Sequence, residues 1–405
     1  MKPHLIRRGL IGFLLLLGIF NVYKSTSFYA HPDYPYDARN VFIAGKLWLK
    51  GDNPYNDSLI KSEWTQTSLQ NGLITEKPPG FPDCGMIYPF WSIPALIPYY
   101  LPTLFLHQTN DWKLSRLIIW LFSLGFLLGI VWFGYKIFSP YSVSIGSMLL
   151  LILSFKSGAV ALMLGQPLLY SLFGLMLSWY FYLKKNDTLA GLFLGLAIVK
   201  VSICLPFVFY FLTLKKWKLL LYSGFVPLLS ALVFYMVSGD LYIYEMLHNI
   251  STQMEINYAG DKLTAVNTNL TELGILANYF LGIGYQAISQ TNIILMLLGS
   301  ILIIWTYLKG FINQYALLAL MIVWQFLFSY HLIYDCMLLL FIIPVIYSSR
   351  LPRLGWILIL SPLFLPINGI FKNSDILQFH LPITVLALLL YIVYDCYTNY
   401  RKRII

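Results

Sequence analysis

The sequence predicts an all-α polytopic membrane protein, and its composition, hydropathy and apolar segments are the observations that predict this fold class. Hydrophobic residues make up 59% of the 405 residues and charged residues only 11%. The mean hydropathy is +0.71. Water-soluble domains carry about 25% charged residues, so this composition excludes a soluble protein of this length. We expect a single transmembrane domain over residues 1–405, with about 12 helices counted from apolar runs of spanning length.

The first apolar run, residues 9–23, follows a basic N-terminus, and no small-residue cleavage site comes after it. We therefore predict a retained membrane helix with its N-terminus in the cytoplasm rather than a signal peptide. The stretch 24–85 then forms the first extracytoplasmic loop. Later apolar runs predict the other helices: 87–106, 117–138, 141–156, 167–183, 189–213, 219–238, 290–308, 314–331, 336–348, 355–370 and 381–397.

Basic residues outnumber acidic ones, 27 to 17, and they occur as short clusters between apolar runs. Such clusters are typical of topology signals and lipid-headgroup contacts, so we expect no nucleic-acid partner. The clusters at 215–218, 348–353 and 401–403 fall on one side of the membrane, which we assign to the cytoplasm. Two loops then lie outside: 239–272, which is the second extracytoplasmic loop, and 371–380. We expect a multi-pass protein of the plasma membrane.

The N-terminal half is harder to orient, because Lys184–Lys185 and Lys215–Lys216 flank the single apolar run 189–213. If both basic pairs are cytoplasmic, this run is a broken hairpin, and Lys200 and Pro206 lie where it would break. Non-helical backbone at membrane depth is tolerated only around a protein-lined cavity. The sequence leaves the side of Lys184 open.

Residues 31–55 are the stretch that we expect to carry the chemistry. Asp37 is placed to cap a helix of about 13 residues, which Gly51 and Pro54 would end. Arg39 and Lys46 fall on one face of this helix, opposite an apolar face. The pattern predicts an amphipathic helix along the membrane surface, with Asp37 at the mouth of a cavity.

Three other stretches place polar groups inside apolar sequence. They are Gly165–Gln166–Pro167, Lys200, and the run from Tyr330 to Asp335, which contains His331. An unpaired charge in lipid costs several kcal/mol, so each group needs a partner, a cavity or the membrane interface.

The cysteines and the acidic residues give no sign of a metal centre. Cys84, Cys204, Cys336 and Cys396 are far apart in the sequence and indicate neither a disulfide framework nor a metal motif. No His, Cys or carboxylate cluster has the spacing of metal ligands. We therefore expect no metal and no cofactor beyond the substrates. The alternative is a divalent ion shared by Asp37 and Asp335 in the fold.

These features together resemble the GT-C superfamily of membrane glycosyltransferases, and within it the mannosyltransferase-like proteins of glycosyltransferase family 87. The resemblance covers about residues 5 to 350. Departures from the family pattern are Phe90, where a second proline is usual, and Pro167, where an aliphatic residue or asparagine is usual. The matching residues, in the family's order, are Asp37, 51–55, Tyr88–Pro89, 165–166, 191–195, Lys200, 267–270 and 330–335.

The resemblance implies a GT-C fold and a hexosyltransferase. It implies transfer of mannose or a similar sugar from a polyprenyl-phosphate donor to a glycolipid or polysaccharide, on the extracytoplasmic face. An acceptor hydroxyl is a poor nucleophile, so a carboxylate that takes its proton accelerates attack by about 10²- to 10⁴-fold. We predict Asp37 as this base, with Asp33 as the nearest alternative. One base opposite one phosphate site implies inversion.

Other residues are predicted to line the site around this base. The departing lipid phosphate gains negative charge, which cations stabilise. For this role we predict His331, Lys200 and Arg39, in that order. The remaining cavity candidates are Gln166, Tyr88, Asn267, Asn269, Tyr330 and Asp335.

Structural interpretations of the same residues stay open. Asp37 is also a good helix cap, Gln166 could bond a neighbouring helix, and His331 and Asp335 are spaced to pair at a helix end. Two other functions also stay open. One is a transporter or flippase of lipid-linked sugars, which predicts inverted repeats that we do not find. The other is a non-catalytic subunit of envelope assembly.

Overall fold

The computed structural model describes residues 3–31, 35–72, 86–105, 111–258, 270–365, 367 and 379–404. Over these ranges the backbone is helical or irregular, and Leu270 with Leu332 forms an isolated antiparallel bridge. The prediction of an all-α protein is confirmed. In chain order the helices are α1 (Pro3–Ala30), α2 (Tyr36–Leu49), α3 (Asp57–Asn71), α4 (Ser92–Ala95), α5 (Asp111–Phe138), α6 (Ile145–Ser154), α7 (Lys156–Leu164), α8 (Leu168–Leu183), α9 (Asp187–Ala197), α10 (Val201–Thr213), α11 (Trp217–Ser238), α12 (Ile243–Tyr258), α13 (Gly274–Leu281), α14 (Tyr285–Leu308), α15 (Gln314–Phe328), α16 (Ile343–Ser348), α17 (Arg353–Leu360) and α18 (His380–Ile404).

Several helices are long and apolar enough to cross a membrane, so the protein is a multi-pass membrane protein. The described part of the chain holds five candidate spans, or six if the bent pair α6 and α7 forms one. The predicted number of about 12 is not confirmed, because the other apolar helices have only 10–17 residues. At about 1.5 Å per residue they fall short of a bilayer core of about 30 Å. The candidate spans are Ile11–Phe28, Asp111–Tyr141, Trp217–Ser238, Gln286–Leu308 and His380–Tyr400.

The segment 86–105 is not the membrane helix that its hydropathy predicts. It consists of α4 and two 3₁₀ turns, Ile97–Tyr99 and Leu101–Leu104. Proline removes a backbone N–H and clashes with the preceding turn, and here it recurs at positions 89, 94, 98 and 102. A continuous helix is therefore excluded, although the segment is strongly apolar.

The run 189–213 is interrupted, and the interruption lies beside Lys200. Helix α9 ends at Ala197 and α10 begins at Val201, so Lys200 stands in the turn between them. Pro206, the other predicted break point, lies inside α10.

The chain divides into two compact units. The first comprises Met1–Ile137, Ala159–Val201 and Lys218–Ile256, and the second comprises Phe138–Gly158, Ser202–Trp217 and Asn257–Ile405. The division does not follow the chain order, because each unit is assembled from three separate segments.

Helix α2 is the centre of the first unit. Pro35 precedes it, and Gly51 follows it with φ +80°. The Gly51 N–H donates to Trp48 O at 2.9 Å and the Asp52 N–H to Leu47 O at 3.0 Å, the paired bonds of a Schellman ending. Helix α2 ends where the sequence predicts.

The basic face of α2 is buried, contrary to the prediction of a helix lying on the membrane surface. Arg39 is 1% exposed and Lys46 8% exposed. Lys46 Nζ lies 2.9 Å from Glu63 of α3 and 3.0 Å from Asp111 of α5. Burial alone would lower the pKa of Lys46, but the bonds and charges of these two carboxylates raise it. Tertiary ion pairs, rather than lipid headgroups, therefore satisfy this face.

Two glycines let α9 approach α11 closely. A Cβ atom on Gly191 would lie 2.3 Å from Leu219 O, and one on Gly195 would lie 2.6 Å from Ser223 O. Small residues four apart allow helix backbones to meet in membrane proteins. The Gly191–Gly195 run thus has a packing role in the first unit.

In the second unit, α15 is the central helix. It packs against α14, α18 and a 3₁₀ stretch, Ile333–Ile342. Runs of 3₁₀ helix longer than three or four residues are uncommon, so this ten-residue stretch is an irregular feature of the core. Gln325 Nε2 donates to Ser202 O at 2.9 Å and ties α15 to α10.

We predict that Lys46→Met destabilises the protein by about 3–5 kcal/mol, because it leaves the buried carboxylate of Asp111 without its cation. Thermal and denaturant unfolding in detergent measures this. The control is Lys61→Met, which removes an ion pair with Asp57 whose lysine side chain is 46% exposed. We expect a change below about 1 kcal/mol for the control. Equal effects of the two variants would contradict a structural role for the buried pair.

We further expect Gly191→Ala to destabilise the first unit by about 1–3 kcal/mol, because the added methyl group meets the backbone of α11. Gly224→Ala on the facing helix is the matched control, since a Cβ there meets nothing within 4 Å. It should leave the unfolding temperature unchanged or raise it. A neutral Gly191→Ala would show that α9 and α11 pack less closely than described.

Candidate active site

The predicted site residues fall into three groups. Asp33, Asn267 and Asn269 lie outside the described residues. Five belong to the first unit: Asp37, Arg39, Tyr88, Gln166 and Lys200. Three belong to the second unit: Tyr330, His331 and Asp335.

Asp37 lies in the first turn of α2, but it is not the helix cap that the sequence predicts. Pro35 occupies the N-cap position, and no side chain caps the helix there. The Asp37 carboxylate instead bonds Gln166, whose Nε2 donates to Asp37 Oδ2. Asp37 lies two positions after the N-cap, too late for the capping geometry, so its carboxylate can turn to a tertiary partner.

Gln166 connects Asp37 to Tyr88. The Tyr88 hydroxyl donates to Gln166 Oε1 at 3.0 Å. Gln166 is 2% exposed and Tyr88 is half-buried. Three predicted cavity residues therefore form one hydrogen-bonded chain, Tyr88–Gln166–Asp37, although they come from three distant parts of the sequence.

Burial raises the pKa of Asp37 from its usual 3.8 to about 7, although the positive charge of Lys200 acts in the opposite direction. Desolvation disfavours the ionised form of a carboxyl group, and a nearby cation favours it. A carboxylate with a pKa near neutrality is suited to accept a proton during catalysis. Perturbed values of this kind cluster at functional sites.

Two side chains of the segment 86–105 hold the turn that precedes Lys200. Trp91 Nε1 donates to Ile198 O at 3.3 Å, and Ser92 Oγ donates to Val199 O at 2.9 Å. Lys200 is half-buried and within electrostatic reach of Asp37. The sequence identified Lys200 as an ionisable group in an apolar run, and the fold places it where its charge lowers the pKa of the predicted base.

The loop that carries Gln166 is held by the same segment. Tyr99 OH donates to Gly165 O at 2.9 Å. Gly165 has φ +61°, a conformation that glycine adopts without strain. Sequence reasoning missed Trp91, Ser92 and Tyr99. The available signal was a cluster of aromatic and hydroxyl donors in a Pro-rich segment that cannot form a helix.

Arg39 occupies a structural position. Its guanidinium lies 4.0 Å above the Trp64 ring, and Nη2 donates to Trp64 O at 3.3 Å and to Ser68 Oγ. These contacts attach α3 to α2. We therefore set Arg39 aside as a phosphate ligand.

His331 and Asp335 form a pair in the second unit, as their spacing allows. His331 Nδ1 lies 3.2 Å from Asp335 Oδ2, and the Leu332 N–H donates to the same oxygen at 3.3 Å. His331 is fully buried against the Phe326 ring, at a centroid distance of 4.6 Å. The pair fixes the beginning of the 3₁₀ stretch. Tyr330 is half-buried and packs against the cluster around Leu270.

Among the residues that the structure describes, no group of three or more His, Cys, Asp or Glu side chains is placed to hold a metal ion. The polar groups near Asp37 are an amide, a phenol and an ammonium group. This arrangement is suited to hold a carboxylate and to attract an anion.

Comparison with known proteins gives a family assignment. The model of glycosyltransferase family 87 matches residues 89–333, more than half of the 405-residue chain. The matched region contains Gln166, Lys200 and His331, and it begins immediately after Tyr88. No individual curated protein matches the chain.

The raised pKa of Asp37 predicts a pH-dependent gain in stability for Asp37→Asn. A carboxyl group with a folded pKa near 7 and an unfolded pKa near 3.8 makes the folded state progressively less stable as the pH rises between these values. The cost is about 1.4 kcal/mol for each unit of pKa shift. We expect Asp37→Asn to unfold at a higher temperature than wild type above neutral pH. The difference should shrink in mild acid.

Asp57→Asn is the control, because Asp57 is also in a helix first turn but its side chain is 34% exposed. This variant should show no comparable gain at alkaline pH. A difference between Asp37→Asn and wild type that is the same at all pH values would contradict the raised pKa.

Proposed function

Because the chain belongs to glycosyltransferase family 87, we propose that it transfers a monosaccharide from a polyprenyl-phosphate donor to a glycolipid or polysaccharide acceptor. We propose mannose or a similar hexose as the sugar, and the extracytoplasmic face of the plasma membrane as the place of transfer. The observation that carries this proposal is the placement of Asp37. It is an oriented carboxylate with a pKa near neutrality, bonded to Gln166 and beside Lys200.

Asp37 is the general base in this proposal. The acceptor hydroxyl donates its proton to the Asp37 carboxylate while its oxygen attacks the anomeric carbon of the donor sugar. The bond from that carbon to the phosphate oxygen breaks, and the lipid phosphate leaves with the bonding electrons. A base whose pKa lies near the working pH combines a useful ionised fraction with adequate proton affinity.

Lys200 is the first candidate to stabilise the leaving phosphate. It is half-buried and close enough to Asp37 to influence its ionisation. A cation in a partly desolvated site stabilises developing phosphate charge more strongly than it would in water. His331 follows Lys200, because its imidazole is fully buried and engaged with Asp335.

A single base and a single phosphate site favour one displacement, and therefore inversion at the anomeric carbon. The apolar helices support a location in the bilayer, where the polyprenyl tail of the donor would also lie. The acceptor would approach Asp37 from the aqueous side, since α2 lies outside the candidate membrane spans.

We expect purified wild-type protein to transfer label from one member of a panel of radiolabelled polyprenyl-phosphate sugars to lipid extract. Asp37→Asn should lower the rate by about 10²- to 10⁴-fold while the protein remains folded. The wild-type rate should fall about tenfold per pH unit below pH 7 and level off above it, because only ionised Asp37 accepts the proton.

Asp57→Asn serves as the control carboxylate and should retain full activity. Unchanged transfer by folded Asp37→Asn would support the transferase activity but exclude Asp37 as its base. Failure of wild type to transfer any sugar of the panel, with movement of intact donor across vesicles, would favour a flippase instead.

A further inference from the structure

In the hydrogen-bonded chain Tyr88–Gln166–Asp37, each residue donates to the next one toward the carboxylate. We propose that Tyr88 and Gln166 are positioning residues, which hold Asp37 in its ionised form and leave its Oδ1 to receive the acceptor's proton. This inference rests on the proposed function of Asp37 as the base.

The donors and acceptors of the chain determine the orientation of the Gln166 amide. A carboxylate only accepts hydrogen bonds, so the amide nitrogen must face Asp37. The Tyr88 hydroxyl donates to the amide oxygen at 3.0 Å and so favours this orientation. In the flipped amide, Gln166 Oε1 would face a carboxylate oxygen, and the two would repel each other. Tyr88 therefore acts on Asp37 through Gln166.

The hydrogen-bonded chain Tyr88–Gln166–Asp37 is rigid because other parts of the first unit hold Tyr88 and Gln166. Tyr55 OH donates to Tyr88 O at 2.8 Å. The Gln166 N–H donates to Ala161 O at 3.0 Å, and Tyr99 holds the preceding carbonyl of Gly165. Gln166 is 2% exposed, so its side chain has little contact with water. A buried donor that is fixed in this way loses little entropy when it bonds Asp37.

The hydrogen bond from Gln166 also gives the two carboxylate oxygens of Asp37 different roles. Oδ2 accepts from Gln166, and among the described residues no hydrogen bond reaches Oδ1. Oδ1 is therefore the oxygen that takes the acceptor's proton. A hydrogen bond to a charged group is stronger than one to a neutral group, so the amide favours ionised Asp37. It opposes the effect of burial, as Lys200 does.

The test measures the ionisation of Asp37 directly. Carbodiimide with an amine nucleophile labels protonated carboxyl groups, and mass spectrometry of the Asp37 peptide gives the labelled fraction at each pH. We expect Gln166→Leu to move the labelling midpoint upward by about one to two pH units, since the donor is lost. Tyr88→Phe should move the midpoint in the same direction by a smaller amount, because the amide becomes free to flip.

Tyr99→Phe is the matched control. It removes a tyrosine hydroxyl bonded to the same loop, at Gly165, but leaves the chain to Asp37 intact. We expect it to lower the unfolding temperature without moving the midpoint. An unchanged midpoint in Gln166→Leu would overturn the proposal, as would an equal shift in Tyr99→Phe. If Gln166→Leu does not fold, Tyr88→Phe alone decides the outcome by the same criterion.

The transfer assay separates this inference from the proposed function. In Gln166→Leu, kcat should begin to fall at a pH about one to two units higher than in wild type and should recover above that pH. In Asp37→Asn, kcat should not recover at any pH. A shifted labelling midpoint without transfer of any sugar would confirm the positioning role and overturn the transferase. Transfer with an unshifted midpoint would overturn the positioning role alone.

Discussion

Four side-chain hydrogen bonds from the irregular segment 88–99 are the constraint on which the candidate site depends. Tyr88 and Tyr99 bond the loop at Gly165–Gln166, and Trp91 and Ser92 bond the turn before Lys200. A regular helix turns its side chains outward at a fixed period, and most of its backbone groups are satisfied internally. Three prolines, at positions 89, 94 and 98, prevent this regularity, so this short segment can donate to two loops at once. Its role is to bring an amide and a cation to the same carboxylate.

Asp37 shows how the fold keeps an ionisable group where an apolar one would be more stable. Its helix is surrounded by protein, and the same helix carries the buried pairs of Lys46 with Glu63 and Asp111. These pairs satisfy the charges of α2 that have no role in the proposed chemistry. Asp37 differs, because burial keeps its pKa raised although Gln166 bonds the carboxylate and the charge of Lys200 lowers that pKa. A partly compensated carboxylate retains affinity for a proton, and this is the property that a general base requires.

The two ionisable groups proposed for the phosphate side differ in how the structure holds them. Lys200 is half-buried and stands after a turn whose backbone carbonyls Trp91 and Ser92 hold. His331 is buried and fixes the start of a 3₁₀ stretch together with Asp335. This difference is the reason for ranking Lys200 first.

The sequence by itself determined the features that depend on local signals. Gly51 and Pro54 predicted the end of α2, hydropathy predicted the long membrane helices, and the four-residue spacing predicted the pair of His331 and Asp335. Only the tertiary structure decided that 86–105 is irregular and that Asp37 does not cap its helix. It also showed that the basic face of α2 is buried. Asp37 and Gln166 are 129 residues apart and Tyr88 and Gln166 are 78 apart, so no local pattern encodes their contact. Propensity and hydropathy act over a few turns, whereas the choice of a hydrogen-bond partner in a buried site is made by packing.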